Sequence, residues 1–473
     1  MLPVTAVVVL TAWVIPSFRA SSARHDRTMS ARRPSRTVLV TGVNMSKGLA
    51  TARMFHRRGH RVIGADCANL SPAIVSSAID RFYILPLSKH THTPEDDPYI
   101  RRLLLIAEEQ QVDLWLSVSD VNAAVQDGQA RDILQRHTKT RCIQLSQENV
   151  ELLHNKARFM EHAQLLGLTV PTHRTVYDQT SLTQFLVDMG GLALNSKVKR
   201  RFIVKPVGVD DLARFNMAML PHNSKQETVE AVKSIPFHNE KNLGFLAQEY
   251  IDGAEFCTHA LVIRGQVRAF VACRSSSVLM HYSALPVQSS LGQSMLAFTK
   301  AIAAHGGDDW TGHISFDFMV KESEGAGEES LVLYPIECNP RVHTAVLLFN
   351  NTPEIVDEYL SVLEPDLQPL EKPLYPRTPR SYYWLGQDLV EQVFCPLSDL
   401  FCLGSLDTLQ YLQKLSDFFC RVWTWKDGTF ENWDPWPFWW LYHVYWPLQL
   451  VQYLGRKRWH KINVSTGKIF QAS

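Results

Sequence analysis

The sequence has little net charge and no paired-cysteine pattern, and each absence excludes a class of protein. Lysine and arginine number 48 against 47 acidic residues, so the chain lacks the basic excess typical of a nucleic-acid-binding protein. Its eight cysteines are scattered, without a CxxC pair or the Cys/His spacing of a zinc site. They are typical of reduced thiols, which indicates a protein that faces the cytosol.

The N-terminal segment is apolar from Leu2 to Phe18 and is followed by a Ser/Arg-rich stretch. It lacks the positive n-region of a signal peptide, and its length is marginal for a transmembrane helix. The arginines would hold the following chain on the cytosolic side. We therefore expect residues 1–35 to form a hydrophobic anchor and linker. An interfacial segment and a true start at Met29 are the alternatives.

Residues 36–148 alternate apolar strands with helical segments, which predicts a Rossmann-like α/β domain with a small parallel sheet. Its first strand ends in the glycine turn TGVNMSKG, and Asp66 ends the second strand. Asn44 stands where the dinucleotide fingerprint GxGxxG needs its second glycine. The turn therefore favours a domain that no longer binds nucleotide, and an NAD(P)-dependent oxidoreductase is a less favoured reading.

Residues 149–365 have a different pattern, which predicts an α+β domain. A long amphipathic helix over ENVELLHNKARFMEHAQLLG comes first, and several strands follow. A second helix then leads into a hairpin formed by HISFDFMVKE and SLVLYPIECN.

The region 366–473 is predicted to be helical and is rich in tryptophan. Eight of the twelve tryptophans lie between Trp423 and Trp459, and Arg456, Lys457 and Arg458 form a basic cluster. Trp and Tyr favour the headgroup zone of a bilayer, and the cations could meet anionic lipid. We expect membrane contact here. The alternative is an aromatic segment that packs on the catalytic body or lines a hydrophobic substrate tunnel.

Two lysines and an acidic turn are candidate nucleotide-binding features. Lys156 lies in the helical HNKARF stretch, and Lys205 ends the apolar strand RFIVK, where its ammonium could meet phosphate oxygens. The strand FLAQEYI ends at Asp252, with Glu255 just beyond. A strand end of this kind could bind an adenine edge, and the carboxylate could accept ribose hydroxyls. Taken singly, each is more typical of an ordinary surface group.

The hairpin carries the most specific signal. Asp317 lies on its first strand, and alternation along YPIECN places Glu337 and Asn339 on one face of the second. Two carboxylates and an amide oxygen are the hard ligands that Mg²⁺ prefers when it also bridges ATP phosphates. Arg341 adds a planar cation that could stabilise an acyl phosphate.

In this order, Lys156, Lys205, QEYIDGAEF, Asp317 and IECNPR resemble the ATP-grasp superfamily. The resemblance covers roughly residues 36–360. It points to the branch of carbamoyl-phosphate synthase and the carboxylate-amine ligases, such as carnosine synthase and D-alanine ligase, and to fungal ATP-grasp enzymes. It implies a pre-ATP-grasp domain at 36–148 and an ATP-grasp domain at 149–365.

The resemblance also implies a role for each residue. Lys156 and Lys205 would bind ATP phosphates, and Glu249, Tyr250, Ile251 and Glu255 would bind adenine and ribose. The metal ligands would be Asp317, Glu337 and Asn339, and Arg341 and Lys205 would be catalytic. One departure is the segment KPVGVDDLARFN, where the family has a glycine-rich loop.

The implied activity is an ADP-forming ligase that uses ATP and Mg²⁺, with Mn²⁺ as a substitute. It would activate a carboxylate, expected to belong to an amino acid, for attack by an amine, and secondary metabolism is the expected setting. A non-catalytic, membrane-associated nucleotide-binding protein is the main alternative. The expected partners are small substrates and the membrane, and the expected location is the cytosol or its membrane face.

Overall fold

The computed structural model describes residues 34–88, 93–118, 123–190, 200–207, 217–237, 244–275, 280–322, 331–403, 406–455, 460–462 and 469–471. Three sequence predictions lie outside these residues. They are residues 1–33 of the anchor and linker expected over 1–35, the loop that follows Lys205 at 208–216, and the basic cluster at 456–458.

The N-terminal part of the fold is a parallel sheet covered by helices. Its strands are β1 (Thr37–Thr41), β2 (Arg61–Asp66), β3 (Arg81–Ile84), β4 (Leu114–Leu116) and β5 (Arg141–Ile143), and its helices are α1 (Ser46–Arg57), α2 (Pro98–Glu109) and α3 (Ala124–His137). The strand order is β3-β2-β1-β4-β5, and every pairing is parallel. The continuous apolar run of β1 fits this position, because a parallel strand is buried on both faces.

The turn after β1 is closed by its own polar groups. The Asp66 carboxylate accepts hydrogen bonds from the amides of Asn44, at 2.8 Å, and Ala68, at 3.0 Å. Gly42 has a positive φ of 73°, and a Cβ there would lie 2.5 Å from the Val118 carbonyl oxygen. Asp66 therefore shapes the turn, and in a dinucleotide site that carboxylate would bind ribose.

The prediction of a single long helix around Lys156 is wrong, because the helix is interrupted at Asn155. The two helices are α4 (Gln147–His154) and α5 (Lys156–Leu165). Asn155 has an extended backbone conformation, and its side chain accepts the amide hydrogens of Ala157 and Arg158. This is an N-cap, which asparagine supplies well and which hydrophobic periodicity does not reveal. As a result, Lys156 is the first residue of a new helix.

The middle of the chain forms an antiparallel sheet flanked by two helices. Its strands are β6 (His173–Val176), β7 (Phe202–Pro206), β8 (Ala218–Leu220) and β9 (Phe245–Glu249), and the helices are α6 (Gln179–Asp188) and α7 (Lys225–Ser234). The order is β6-β9-β7-β8. Phe185, Phe202 and Val232 share a small core between the sheet and these helices.

A second antiparallel sheet follows. It contains β10 (Ala254–Ile263), β11 (Gln266–Arg274), β12 (Gly312–Glu322) and β13 (Leu331–Asn339), and the helix α8 (Ser290–Gly306) lies between β11 and β12 in the chain. The order is β11-β10-β12-β13. Phe316 and Cys338 share a core with α5 and α8. Because alternate residues face opposite sides of a strand, Asp317 and Glu337 lie on the other face.

The C-terminal region is mostly helical. Its elements are α9 (Glu354–Leu360), β14 (Tyr382–Tyr383), α10 (Leu385–Leu389), α11 (Cys395–Ser398), α12 (Thr408–Thr424), β15 (Lys426–Asp427), α13 (Trp436–Trp440), α14 (Trp446–Gly455), β16 (His460–Ile462) and β17 (Ile469–Gln471). No helix in the part of the chain that the structure describes combines the length and apolar character that a membrane crossing requires.

Aromatic side chains of the C-terminal region pack on the N-terminal sheet domain. Trp384 is fully buried and donates to the Ser46 hydroxyl at 2.9 Å, at the start of α1. The Tyr445 hydroxyl accepts a hydrogen bond from the Asn44 amide group at 3.0 Å. These contacts cover the glycine turn that a dinucleotide would need, and they agree with the packed alternative for this part of the segment.

A buried ion pair also joins these two regions. Arg53 of α1 bonds to the Asp434 carboxylate at 2.9 Å, to the Asp434 carbonyl oxygen at 2.8 Å and to the Thr429 carbonyl oxygen at 2.7 Å. The same carboxylate accepts hydrogen bonds from the hydroxyl of Ser76 and the amide of Ser77. Both charged side chains are at most 5% exposed.

Asp434→Ala should therefore destabilise the protein strongly, because it leaves the Arg53 guanidinium buried without its counter-ion. Loss of one partner of a buried pair costs about 3–5 kcal/mol. Urea unfolding followed by circular dichroism measures the effect, and limited proteolysis shows whether the C-terminal region is released. Asp417→Ala, on the exposed face of α12, is the control. An unchanged unfolding midpoint in Asp434→Ala would contradict the packing described here.

Candidate functional site

The candidate site is built on the hairpin β12–β13. Asp317 is directly opposite Glu337, and the register shifts by one residue immediately beyond this pair, since Phe318 is opposite Pro335. Ile336 is thus the extra residue of a β-bulge, a feature that re-aims side chains near many active sites. The Asn339 amide group donates to Asp317 at 2.9 Å and to Glu337 at 3.2 Å. The three predicted metal ligands are therefore brought together.

The electrostatics of this cluster fit a bound cation. Burial, the first cause, and the charge of Glu337 raise the pKa of Asp317 well above its ordinary value. The carboxylates are held close by the Asn339 amide, whose oxygen contacts the Arg341 guanidinium. Rotation of that amide would turn its oxygen toward the two acids and complete a hard-oxygen ligand set. Mg²⁺ favours such a set, and its charge would relieve the repulsion.

Lys156 and Lys205 reach this hairpin from different elements. Lys156 begins α5, and its Nζ lies 3.7 Å from a carboxylate oxygen of Glu337. Lys205 extends from β7 in the other sheet, is 8% exposed, and donates to the Ile336 carbonyl oxygen at 3.1 Å. The two ammonium groups therefore border the acidic cluster. They form a place where phosphate oxygens would meet cations.

The predicted adenine hinge lies at the end of β9. The amide of Glu249 donates to the Thr172 carbonyl oxygen at 2.7 Å, and the amide of Tyr250 donates to the Arg201 carbonyl oxygen at 2.8 Å. The amide of Ile251 makes no hydrogen bond with the residues that the structure describes. Of the three hinge amides, that of Ile251 is therefore the one available to an adenine edge.

Glu255, the predicted ribose-binding acid, is exposed on β10 and is opposite Met319. Its charge contributes to the raised pKa of Asp317, which places it in the same electrostatic environment. Glu255 is two residues from Cys257 on the same strand, so the two side chains project from the same face of the sheet. Glu255 is thus a third acid on the face that carries the metal-ligand candidates.

Sequence reasoning missed Cys257 and His343. Cys257 is opposite Asp317 on the neighbouring strand, and ligand atoms of Cys257, Asp317 and His343 all lie within 4.8 Å of one another. Burial, with His259, Lys47 and Arg341 nearby, lowers the pKa of His343 well below 6.5, so the imidazole is neutral. Alternation from Glu255 could have identified Cys257. The position of His343, two residues beyond Arg341, gives a weaker signal.

The fold is similar to three solved structures that share at most 14% sequence identity with this chain. The ADP complex of an N5-carboxyaminoimidazole ribonucleotide synthetase matches with a TM-score of 0.51 and 12% identity, over 83% of this chain and 98% of the other. A Campylobacter jejuni biotin carboxylase in complex with an ATP ligand matches with a TM-score of 0.51 and 14% identity, over 72% and 73%.

The third is the biotin carboxylase domain of the Hydrogenobacter thermophilus 2-oxoglutarate carboxylase, in complex with MgADP, ADP and bicarbonate. It matches with a TM-score of 0.50 and 13% identity, over 72% of each chain. These likenesses show that the chain has an ATP-grasp fold. No family model and no curated protein match the sequence.

The raised pKa of Asp317 predicts a pH-dependent effect of Mg²⁺. In the folded protein Asp317 keeps a proton that the unfolded chain releases near pH 3.8. The stability that comes from this difference in proton binding is fully present below pH 3.8. It is lost as the pH rises through the folded-state pKa. Without metal, Asp317→Asn should therefore be more stable than wild type at alkaline pH, and it should lose most of the stabilisation by Mg²⁺.

The measurement is thermal unfolding of wild type and variant across pH, with and without MgCl₂. The informative quantity is the difference in unfolding temperature between the two proteins. Both proteins contain buried histidines with lowered pKa values, and the contribution of these histidines to stability has the opposite sign below pH 6.5. Asp309→Asn, an exposed acid on a nearby turn, is the control. A difference in unfolding temperature between Asp317→Asn and wild type that becomes smaller as the pH rises would contradict the raised pKa of Asp317.

Proposed function

We propose that this protein is an ADP-forming ligase that uses ATP and Mg²⁺ to activate a carboxylate as an acyl phosphate, which an amine then attacks. The observation that carries the proposal is the convergence of Lys156 and Lys205 on the acidic hairpin of Asp317, Glu337 and Asn339. The ATP-grasp fold supports it, since solved structures with this fold were determined with ADP, an ATP ligand or MgADP.

Asp317, Glu337 and Asn339 would hold Mg²⁺, for which Mn²⁺ is a substitute with the same preference for oxygen ligands. When bound, the metal would supply positive charge that neutralises the ATP phosphates. Lys156 and Lys205 would hold the phosphate oxygens from the opposite side as point charges. The positioning of the two reactants and this charge neutralisation supply most of the acceleration in phosphoryl transfer.

Arg341 would orient the carboxylate substrate and stabilise its acyl phosphate. In the described structure, its guanidinium contacts the Asn339 amide oxygen, so it lies at the edge of the metal cluster. A planar guanidinium fits carboxylate and phosphate oxygens in a bidentate arrangement. If Asn339 turns its oxygen toward a metal, its contact with the Arg341 guanidinium would be lost.

The hinge at Glu249, Tyr250 and Ile251 would bind the adenine, and Glu255 would accept the ribose hydroxyls. The Ile251 amide is the hinge donor that this arrangement leaves available. The Arg201 guanidinium lies 5.2 Å from the centre of the Tyr250 ring, which fixes one side of the hinge through a cation–π contact. Adenine recognition would therefore depend mainly on backbone groups.

Lys205→Ala and Glu337→Ala should each reduce substrate-dependent ADP release by about 100-fold or more, as the loss of one transition-state-stabilising group typically does. The assay is ADP release by purified protein with pooled amino acids and carboxylic acids, followed by mass spectrometry of the product. Lys300→Ala, an exposed lysine on α8, should keep wild-type activity.

Three outcomes are informative. Undiminished turnover in Lys205→Ala or Glu337→Ala would refute the site assignment. ATP binding with no ADP formation across the whole substrate panel would favour the alternative, a non-catalytic nucleotide-binding protein. A product that joins an amino acid to a second small molecule would support the proposed amino-acid substrate and a role in secondary metabolism.

Membrane contact remains part of the proposal, and the described surface that supports it is α12. This helix exposes several large apolar side chains along its length, including Trp423 at 90%, Leu409 at 78% and Phe419 at 63%. An amphipathic helix with an aromatic face can lie in the headgroup zone of a bilayer. The protein would then work at the cytosolic face of a membrane.

The double variant Phe419→Ser and Trp423→Ser should bind vesicles more weakly than wild type, because it removes the two largest exposed rings of this face. Flotation with vesicles of phosphatidylcholine and phosphatidylserine measures the bound fraction. Leu165→Ser changes a residue that is 86% exposed on α5, away from the aromatic face, and should leave binding unchanged. Equal flotation of wild type and the double variant would exclude this helix as the contact.

A further inference from the structure

A row of four metal-binding side chains crosses the second antiparallel sheet. Cys273 on β11 is opposite Cys257 on β10, Cys257 is opposite Asp317 on β12, and Asp317 is opposite Glu337 on β13. Residues that are directly opposite on neighbouring strands project from the same face. The row therefore changes from two thiols to two carboxylates across the width of the sheet.

Three ligand side chains meet near the thiol end of this row, and Cys273 adjoins them through its contact with Cys257. The two Sγ atoms are 3.3 Å apart, and ligand atoms of Cys257, Asp317 and His343 all lie within 4.8 Å of one another. Zinc–sulfur bonds of about 2.3 Å in a tetrahedron hold two sulfurs about 3.8 Å apart. A widening of about 0.5 Å would bring the two sulfurs to that distance, and the Cys273 thiol would also move toward Asp317 and His343 to complete the ligand set.

The chemistry of the donors differs from that of the proposed Mg²⁺ cluster. Two sulfurs, an imidazole nitrogen and a carboxylate oxygen form a set that selects Zn²⁺ and similar ions over Mg²⁺, which takes oxygen ligands. The Nδ1 atom of His343 accepts the Ala345 amide hydrogen at 3.2 Å. Coordination through Nε2 would move the ring proton to Nδ1 and break that long contact.

We propose that Cys257, Cys273, His343 and Asp317 form a second metal site, specific for a divalent cation that favours thiolate ligands, with Zn²⁺ as the natural candidate. The metal site itself goes beyond the proposed ligase function. Its effect on activity rests on that function, because Asp317 also belongs to the proposed Mg²⁺ cluster. Occupation of the thiol end would withdraw Asp317 from Mg²⁺. Zn²⁺ would thus inhibit ATP-dependent turnover.

The burial of the four side chains differs. Cys257 and Cys273 are buried, whereas Asp317 and His343 are partly exposed. The exposed pair would meet the cation first and pass it to the thiols beneath. On binding, each thiol loses its proton to solvent and becomes a thiolate ligand, so no electron is transferred.

The test is titration of the full-length, reduced protein with Co²⁺ in the absence of nucleotide. Tetrahedral thiolate ligation produces a sulfur-to-cobalt charge-transfer band in the near ultraviolet together with visible ligand-field bands, and Zn²⁺ should remove both by displacement. Cys257→Ser and Cys273→Ser should each reduce the charge-transfer band and weaken Co²⁺ binding about 10- to 100-fold or more, since changes outside the ligand shell alone have effects of that size.

Cys338→Ser is the matched control. Cys338 lies on β13 next to Glu337, but it belongs to the core on the opposite face of the sheet, so this variant should keep the wild-type spectrum. Circular dichroism of each variant establishes that it is folded. Co²⁺ binding without a charge-transfer band, or an unchanged band in both Cys257→Ser and Cys273→Ser, would overturn the proposal.

Activity distinguishes this proposal from the proposed function. The spectrum requires neither ATP nor substrate, so a thiolate band in a protein with no ADP release would support the metal site while the ligase assignment fails. In an active enzyme, Zn²⁺ should inhibit ADP release in the presence of Mg²⁺. The Cys273→Ser variant leaves Asp317 intact, and the Zn²⁺ concentration that gives the same inhibition should be at least about 10-fold higher in this variant. Equal sensitivity of the two proteins would refute the inhibitory role.

Discussion

The repulsion between Asp317 and Glu337 is the constraint on which the candidate site depends. Two carboxylates that are opposite each other on a partly buried hairpin are unfavourable unless protons, amide hydrogens or cations compensate for their charge. Here the Asn339 amide donates to both acids, and Lys156 lies 3.7 Å from Glu337. The surrounding elements bring positive charge to this hairpin. A bound metal would complete the compensation of the two carboxylate charges.

The N-terminal domain contacts the candidate site, and its own glycine turn is covered by other parts of the chain. Asp66 is engaged by backbone amides, and Tyr445 and Trp384 pack over the turn and the start of α1. Lys47 of α1 extends in the opposite direction and donates to the Val342 carbonyl oxygen at 2.7 Å, next to Arg341. The domain thus fixes the segment that follows the hairpin β12–β13.

The hairpin could be predicted from sequence because its signal is local. Alternation places Glu337 and Asn339 on one face, and IECNPR interrupts an apolar strand with polar residues. The convergence of Lys156 and Lys205 could not be derived in this way, because it depends on how α5 and β7 pack against β13. Two local features also escaped the pattern: the cap at Asn155, which divides the predicted long helix, and the bulge at Ile336. Both depend on backbone conformation, to which hydrophobic periodicity is insensitive.

The shared position of Asp317 makes the two ends of the ligand row depend on each other. A cation held by Glu337 and Asn339 draws the Asp317 charge toward the oxygen ligands and leaves Cys257 and Cys273 without a carboxylate partner. A cation held by the thiols would have the reverse effect, because a carboxylate shared between two cations supplies less charge to each and the two cations repel each other. The choice between them would follow ligand softness, because Mg²⁺ gains little from sulfur and Zn²⁺ gains much. A single strand position would then link metal identity to catalysis.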